Sequence, residues 1–162
     1  MSKHRDRYWK LVFAWMCLLT VIAWLLVIPV KAARPRIQDC PVQPWEPEET
    51  DIVALAQTLY GECRGCSELQ QRAVCWCIFN RVDSDTFPDT VIDVITQRSQ
   101  FFGYSPNNPV WDNLYELAKQ CLIDWHNGEN RVFSSDYLYF YGDSIRNHFT
   151  TKWRGGDEWC EG

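Results

Sequence analysis

The chain has 162 residues, enough for one ordinary domain with a single core. Its formal charge is −5, but from Ile37 onward 9 Lys and Arg face 20 Asp and Glu, a net of −11. Such a surface repels phosphate, which excludes nucleic acid as a partner. Aromatic residues make up 15%, with nine tryptophans, which suits a carbohydrate- or peptide-contacting surface as well as plain packing.

Residues 1–10 are basic, and Leu11 to Val30 is a run of 20 residues without a charge. That length can span a bilayer as a helix. The denser basic cluster before it predicts a cytoplasmic N-terminus and an external domain. Small residues at Ala32 and Ala33 leave cleavage open, so the segment is either a single-pass anchor or an export signal, and the domain either sits on the outer membrane face or is secreted. Residues 31–50 carry four prolines and no apolar period, and read as a stiff linker. The domain proper is expected over 51–162.

The first helix is predicted to start at the N-cap Thr50 and run through "DIVALAQTLYGE", with Ile52, Leu55, Ala56 and Leu59 on one face. Gly61 and Gly65 are expected to break it. Ser67 should cap a second helix, "ELQQRAVCWCIFNRV", whose stretch from Ala73 to Phe79 is apolar all round and therefore central. A turn, "DSDTFPD", precedes a short third helix, "TVIDVITQ". Asp83, Asp85 and Asp89 then form a solvated, capping surface. The loop "SQFFGYSPNNP" is rich in turn formers. Val110, Leu114, Leu117, Ala118, Cys121, Leu122 and Trp125 keep helical spacing for a fourth helix closed by Gly128, with Trp111 and Trp125 expected in the core. "YLYFY", 137–141, reads as a short strand. The class is α+β, mainly helical.

Cysteines at 63, 66, 75 and 77 raise the question of a metal. Positions 75 and 77 lie two apart on a helix, about 200° around it, so their sulfurs cannot converge on one ion. No metal and no cofactor are expected. In an exported domain disulfides are the better reading, with Cys63–Cys66 and Cys40–Cys160 as candidate pairs and Cys75 or Cys77 as a buried free thiol. A redox C-x-x-C lacks its βαβ setting. His126 and His148 have no partner at useful spacing.

Glu62 continues the apolar stripe of the first helix, three residues after Leu59. It should point inward or into a cleft, where burial and the helix C-terminus both raise its pKa. A carboxylic acid still protonated near neutral pH can protonate a leaving oxygen. An ion pair with Arg64 or Arg81, or capping of nearby amides, is the structural alternative.

"LAQTLYGECRG", followed by "QQRAVCWCIFNRVDSDTFPDTVIDVI", "QRSQFFGY" and "YLYFYGDS", resembles the spore-cortex-lytic type of cell-wall hydrolase family over about residues 52–149. The chain departs from that pattern at Cys66, at Phe102 and in "RNHFTTKW", where His148 alone corresponds. The resemblance implies a lysozyme-like fold that cleaves peptidoglycan glycan strands between N-acetylmuramic acid and N-acetylglucosamine, with Glu62 as catalytic acid. It also implies a lytic transglycosylase using the muramoyl C6 hydroxyl as internal nucleophile, since no second acid has a comparable context. Gln97 and Gln100 are candidates to hydrogen-bond sugar groups, and Tyr60, Phe101, Tyr139 and Tyr141 to stack on sugar rings. Loop solvation is the competing role for the two glutamines, and half-buried packing for Phe101, Tyr139 and Tyr141. A monomer is expected. The alternative function is a non-catalytic peptidoglycan-binding or assembly module on the same scaffold.

Overall fold

A computed structural model describes residues 9–10, 15–18, 44–143 and 146–161. The chain divides into two compact units, residues 1–43 and 44–162. Of the first, only helical residues 9–10 and 15–18 are described, so most of the expected 11–30 segment and of the linker lies outside the described residues. No helix among the described residues is long and apolar enough to cross a membrane.

The described residues of the second unit form four helices and a small sheet. Helix α1, Glu49–Cys63, starts one residue before the expected Thr50, with Glu48 at the cap position. No side chain caps it there; Glu49 and Asp51 in the first turn offset the exposed amides instead. Ile52, Leu55, Ala56 and Leu59 are buried as the spacing required. Gly61 does not break the helix, which runs through it to Cys63.

Helix α2, Glu68–Val82, is capped by Ser67, whose Oγ accepts from the Gln70 amide at 3.2 Å. Every residue from Ala73 to Phe79 is fully buried, and α2 packs against α1, the other two helices and the sheet. Helix α3, Val91–Thr96, is capped by Thr90, whose hydroxyl accepts from the Asp93 amide and donates to its carboxylate. Helix α4, Asp112–Asn127, ends at Gly128, which takes the left-handed conformation at φ +71°. Val110 and Trp111 precede α4, and Trp111 is 45% exposed rather than core. Trp125 does pack, stacked on Phe79 with ring centroids 4.7 Å apart.

Beyond α4 the expected single strand is one of three. Strands β1 (Tyr139–Gly142), β2 (Asn147–Lys152) and β3 (Gly155–Trp159) form an antiparallel sheet in that order. Phe140, Phe149 and Trp159 face inward, joined by Phe133 at centroid distances of 5.3 Å to Phe149 and 5.6 Å to Trp159. The fold is thus α+β and mainly helical.

The buried polar groups sit where loops must be held. Asn80 donates to the carbonyls of Ser134 (2.9 Å) and Tyr137 (3.1 Å) and accepts from Arg131 (2.8 Å). Arg81 donates to Leu138 O at 2.7 Å. These two side chains fix the segment between α4 and the sheet onto α2. Arg72 pairs with the buried Asp124, which also accepts from Gln120 and Asn130.

Candidate active site

Glu62 stands on the last turn of α1, half-buried, where the chain of loop 99–109 crosses the helix. Its Oε1 accepts a hydrogen bond from the Gly103 amide at 2.6 Å. Its Oε2 has no hydrogen-bond partner among the described residues, so one oxygen is anchored and the other is not. Burial pushes the Glu62 carboxyl above its ordinary value, and the Gly103 amide partly opposes this. Neither cause involves another carboxylate. Of the two structural alternatives, the ion pair fails, since Arg64 donates to Tyr60 O and Arg81 is committed to Leu138 O and Gln100 Oε1, whereas capping of a nearby amide is the contact Gly103 makes.

The crossing is tight because Gly61 and Gly103 lie backbone against backbone. Gln57 and Asn108 lock it from the side. Gln57 Nε2 donates to the carbonyls of Pro106 (2.8 Å) and Asn108 (3.2 Å), while Asn108 Nδ2 donates to Gln57 O (2.9 Å) and Gly103 O (2.8 Å). Neither residue stood out in the sequence, where Gln57 read as one polar position on α1 and Asn108 as a turn former.

The other candidates separate into different roles. Phe101 is 5% exposed, packed on Phe140 and under the Arg81 guanidinium, so it is core and not a stacking surface. Its neighbour Phe102 is 85% exposed and precedes Gly103, whose amide donates to Glu62. Gln100 is half-buried and accepts from Arg81 at 2.9 Å, an interior support for the loop rather than a free sugar contact. Gln97 sits at the end of α3 with its buried Oε1 unpaired. Tyr60 is half-buried, edge-on to Trp111 at 5.0 Å. Tyr139 and Tyr141 line a groove of about 540 Å³ on the outer sheet face with Trp153, Arg154 and Glu158, and Glu62 is not among its lining residues.

Four of the thiols, Cys63, Cys75, Cys77 and Cys121, are buried. Cys63 and Cys66 are not joined, and no disulfide links any two described cysteines; Cys40 lies outside the described residues. Asn147 Nδ2 points at both sulfurs, at 3.5 Å from Cys63 and 3.9 Å from Cys66, tying the start of β2 to the turn after α1. Cys75 faces the Cys121 thiol, and that hydrogen bond and burial raise its pKa. Burial pushes Cys77 up to about 11, beside Arg81. The two thiols of α2 therefore point to different neighbours, as the helix geometry required. His126 stacks on Trp45 at 4.0 Å. His148 does have partners, Asp143 and Glu158, which cross-strand pairing supplies and linear spacing could not show.

The model of the family described as Cell Wall Hydrolase matches residues 65–157, more than half of the chain, with Glu62 just ahead of the matched range. Similar proteins include the spore cortex-lytic enzyme of Bacillus cereus, 35% identical over 105 residues, covering 65% of this chain and 38% of that protein. That of Halalkalibacterium halodurans is 34% identical over 96 residues, 59% of this chain and 28% of the relative. That of Bacillus subtilis (strain 168) is 33% identical over 91 residues, 56% and 29%. The matches therefore span about a third of the length of these curated relatives. No solved structure matches. With the "NRV" residues Asn80 and Arg81 holding the sheet segment, and Gly103 of the Gln-Phe loop on Glu62, the chain belongs to the cell wall hydrolase family.

Proposed function

We propose that the domain is a peptidoglycan-cleaving glycosidase of the lytic transglycosylase type, with Glu62 as general acid and then base. The observation that carries this is the carboxyl itself: raised in pKa by burial, fixed through Oε1 by the Gly103 amide, and without a hydrogen-bond partner at Oε2 among the described residues. In the first step protonated Glu62 gives its proton to the glycosidic oxygen as the bond to muramoyl C1 breaks. The C6 hydroxyl of the same sugar then attacks C1, and the Glu62 carboxylate takes the hydroxyl proton. The product carries a 1,6-anhydro ring, water is not consumed, and Glu62 ends protonated as it began. One acid suffices for both transfers, because the C6 hydroxyl takes the place of the second carboxylate that glycoside hydrolysis ordinarily uses.

Relatives named spore cortex-lytic enzymes support peptidoglycan of the cortex or wall as substrate. The same reading puts the domain outside the membrane, carried or exported by residues 11–30 and spaced from it by the proline-rich linker.

Mass spectrometry of muropeptides released from purified wall tests the proposal. Anhydro-muramoyl ends that disappear in Glu62→Gln support it. Reducing ends would replace the internal nucleophile with water, and retained lysis in Glu62→Gln would refute the role of the carboxylate. Wall binding without any product would establish the binding-module alternative.

A further inference from the structure

The outer face of the sheet carries a second cluster of chemically capable side chains. Alternation along the strands sends Phe140, Phe149 and Trp159 inward, so Tyr141, His148 and Glu158 point outward. Tyr141 pairs with His148, and Phe149 with Trp159. Continuing that register sets Cys160, just past β3, opposite His148. A ring nitrogen of His148, a Glu158 carboxylate oxygen and the Cys160 sulfur all lie within 4.8 Å of one another. His148 Nδ1 is 2.8 Å from Glu158 Oε1, and Nε2 is 2.9 Å from Asp143 Oδ2. The Tyr141 ring lies flat on the imidazole at 4.8 Å and fixes its plane.

We propose that this cluster is a zinc site, with His148 Nδ1, a Glu158 oxygen and the Cys160 thiolate as ligands and a fourth position open to water. The donor set is one nitrogen, one sulfur and one oxygen, the combination a borderline-soft divalent ion accepts and the hard ions magnesium and calcium do not. Asp143 holds the far ring nitrogen, the carboxylate–imidazole arrangement that orients metal-bound histidines. Zinc bonds of about 2.0–2.3 Å place tetrahedral ligands roughly 3.3–3.8 Å apart, so the pairs up to 4.8 Å apart need to draw in by about an ångström, and His148 Nδ1 and Glu158 Oε1, now 2.8 Å apart, need to open by about half of one. Glu158 and Cys160 are exposed; Glu158 would give up its contact with His148 Nδ1 to bind the ion, while its Oε2 keeps the hydrogen bond it accepts from the Tyr141 hydroxyl at 3.2 Å. On binding, the Cys160 thiol proton and the His148 Nδ1 proton shared with Glu158 leave to solvent, and the sulfur and Nδ1 bond the metal, while Nε2–H stays on Asp143. Because Cys160 follows the last strand, the ion would clamp the end of β3 to β2.

The test is titration of the full chain, purified in mild detergent under reducing conditions, with Co²⁺ as a coloured probe and Zn²⁺ as competitor. One equivalent should bind, with a thiolate-to-cobalt absorption band that Zn²⁺ abolishes, and Zn²⁺ should raise the unfolding temperature. Cys160→Ser should remove the band and weaken Zn²⁺ binding at least tenfold, and Glu158→Gln should weaken it while leaving the band. Asp143→Asn, which acts through His148, should weaken binding about 10- to 100-fold with the band retained. A Cys63→Ser/Cys66→Ser variant should bind as the natural chain does. The site is overturned if the natural chain binds no Zn²⁺, if Cys160→Ser and Glu158→Gln bind unchanged, or if the band follows Cys63 and Cys66 instead.

Discussion

Gly61 and Gly103 meet so closely that a β-carbon on Gly61 would lie 1.7 Å from the Gly103 carbonyl oxygen, and one on Gly103 would lie 2.4 Å from the Gly61 carbonyl carbon. Neither obstacle is a side chain that could swing away. The contact sets the Gly103 amide against Glu62, so the two glycines act on the chemistry through backbone position. Gly61→Ala should push the loop off α1, cost about 1–3 kcal/mol of stability, and lower muropeptide release at least tenfold. Thermal unfolding and a wall-release assay on the same sample check both, and an alanine tolerated in both measurements would contradict the argument.

Glu62 should give the domain a distinctive pH response. Burial raises its folded pKa and the Gly103 amide only partly offsets this, so the proton-donating form persists above the ordinary 4.5. Activity should therefore fall as pH rises through the raised value. Between 4.5 and that value the folded state binds more protons than the unfolded one, so stability from this group decreases with rising pH there. Glu62→Gln should flatten that part of the stability profile and reduce turnover by about 10²–10⁴-fold, with the fold retained. Urea unfolding across a pH series provides the comparison. An unchanged profile in the variant would rule out the raised pKa.

Phe102 is the exposed aromatic that precedes Gly103, the anchor of Glu62, and nothing in the core depends on it. Phe102→Ala should leave stability within about 0.5 kcal/mol. If the ring stacks on a sugar, KM for glycan strands should rise about two- to tenfold, on the scale of aromatic contacts worth about 0.5–1.5 kcal/mol. Steady-state kinetics on soluble glycan fragments decides, since a change in kcat alone would give Phe102 a different role.

Asp124 carries stability rather than chemistry. Burial pushes its carboxyl up, but hydrogen bonds from Gln120, Asn130 and Arg72 outweigh burial and hold it below the ordinary 3.8. Its contribution is present above 3.8 and should be lost as pH falls through the depressed folded value. Asp124→Ala should cost about 3 kcal/mol, the lower part of the range for breaking a buried pair, because Arg72 retains some access to water. Denaturant melts at neutral and acid pH should show the difference from the natural chain shrinking at acid pH.

Asn80 answers three groups at once, Ser134 O, Tyr137 O and Arg131. Asn80→Ala should cost about 1–3 kcal/mol from buried groups left unpaired. Its effect on wall release should be smaller than that of Glu62→Gln and should recover at lower temperature, where the segment before β1 is restored to its place.

The helices were legible in the chain because each announces itself locally. Ser67 and Thr90 cap the helices that follow them, Gly128 ends α4, and the unbroken apolar stretch from Ala73 to Phe79 has no surface to face and must be central. The half-buried setting of Glu62 was legible too, since three residues after Leu59 it continues the face that packs. The geometry of α2 likewise separates Cys75 from Cys77, which meet Cys121 and Arg81 respectively. Other features depend on groups far apart in the chain. Gly61 reads as a helix breaker until Gly103, more than a helix away, is seen pressed against it. Phe101 and Phe102 are indistinguishable in sequence, and only the packing of Phe101 on Phe140 decides which is core and which is presented. Strands β2 and β3 lack a long apolar run and exist because Phe149 and Trp159 bury against Phe133 and Phe140. His148 gains Asp143 and Glu158 only through cross-strand register. Local capping and periodicity are properties of a few consecutive residues, whereas close approach, burial choice and register are settled when distant segments meet.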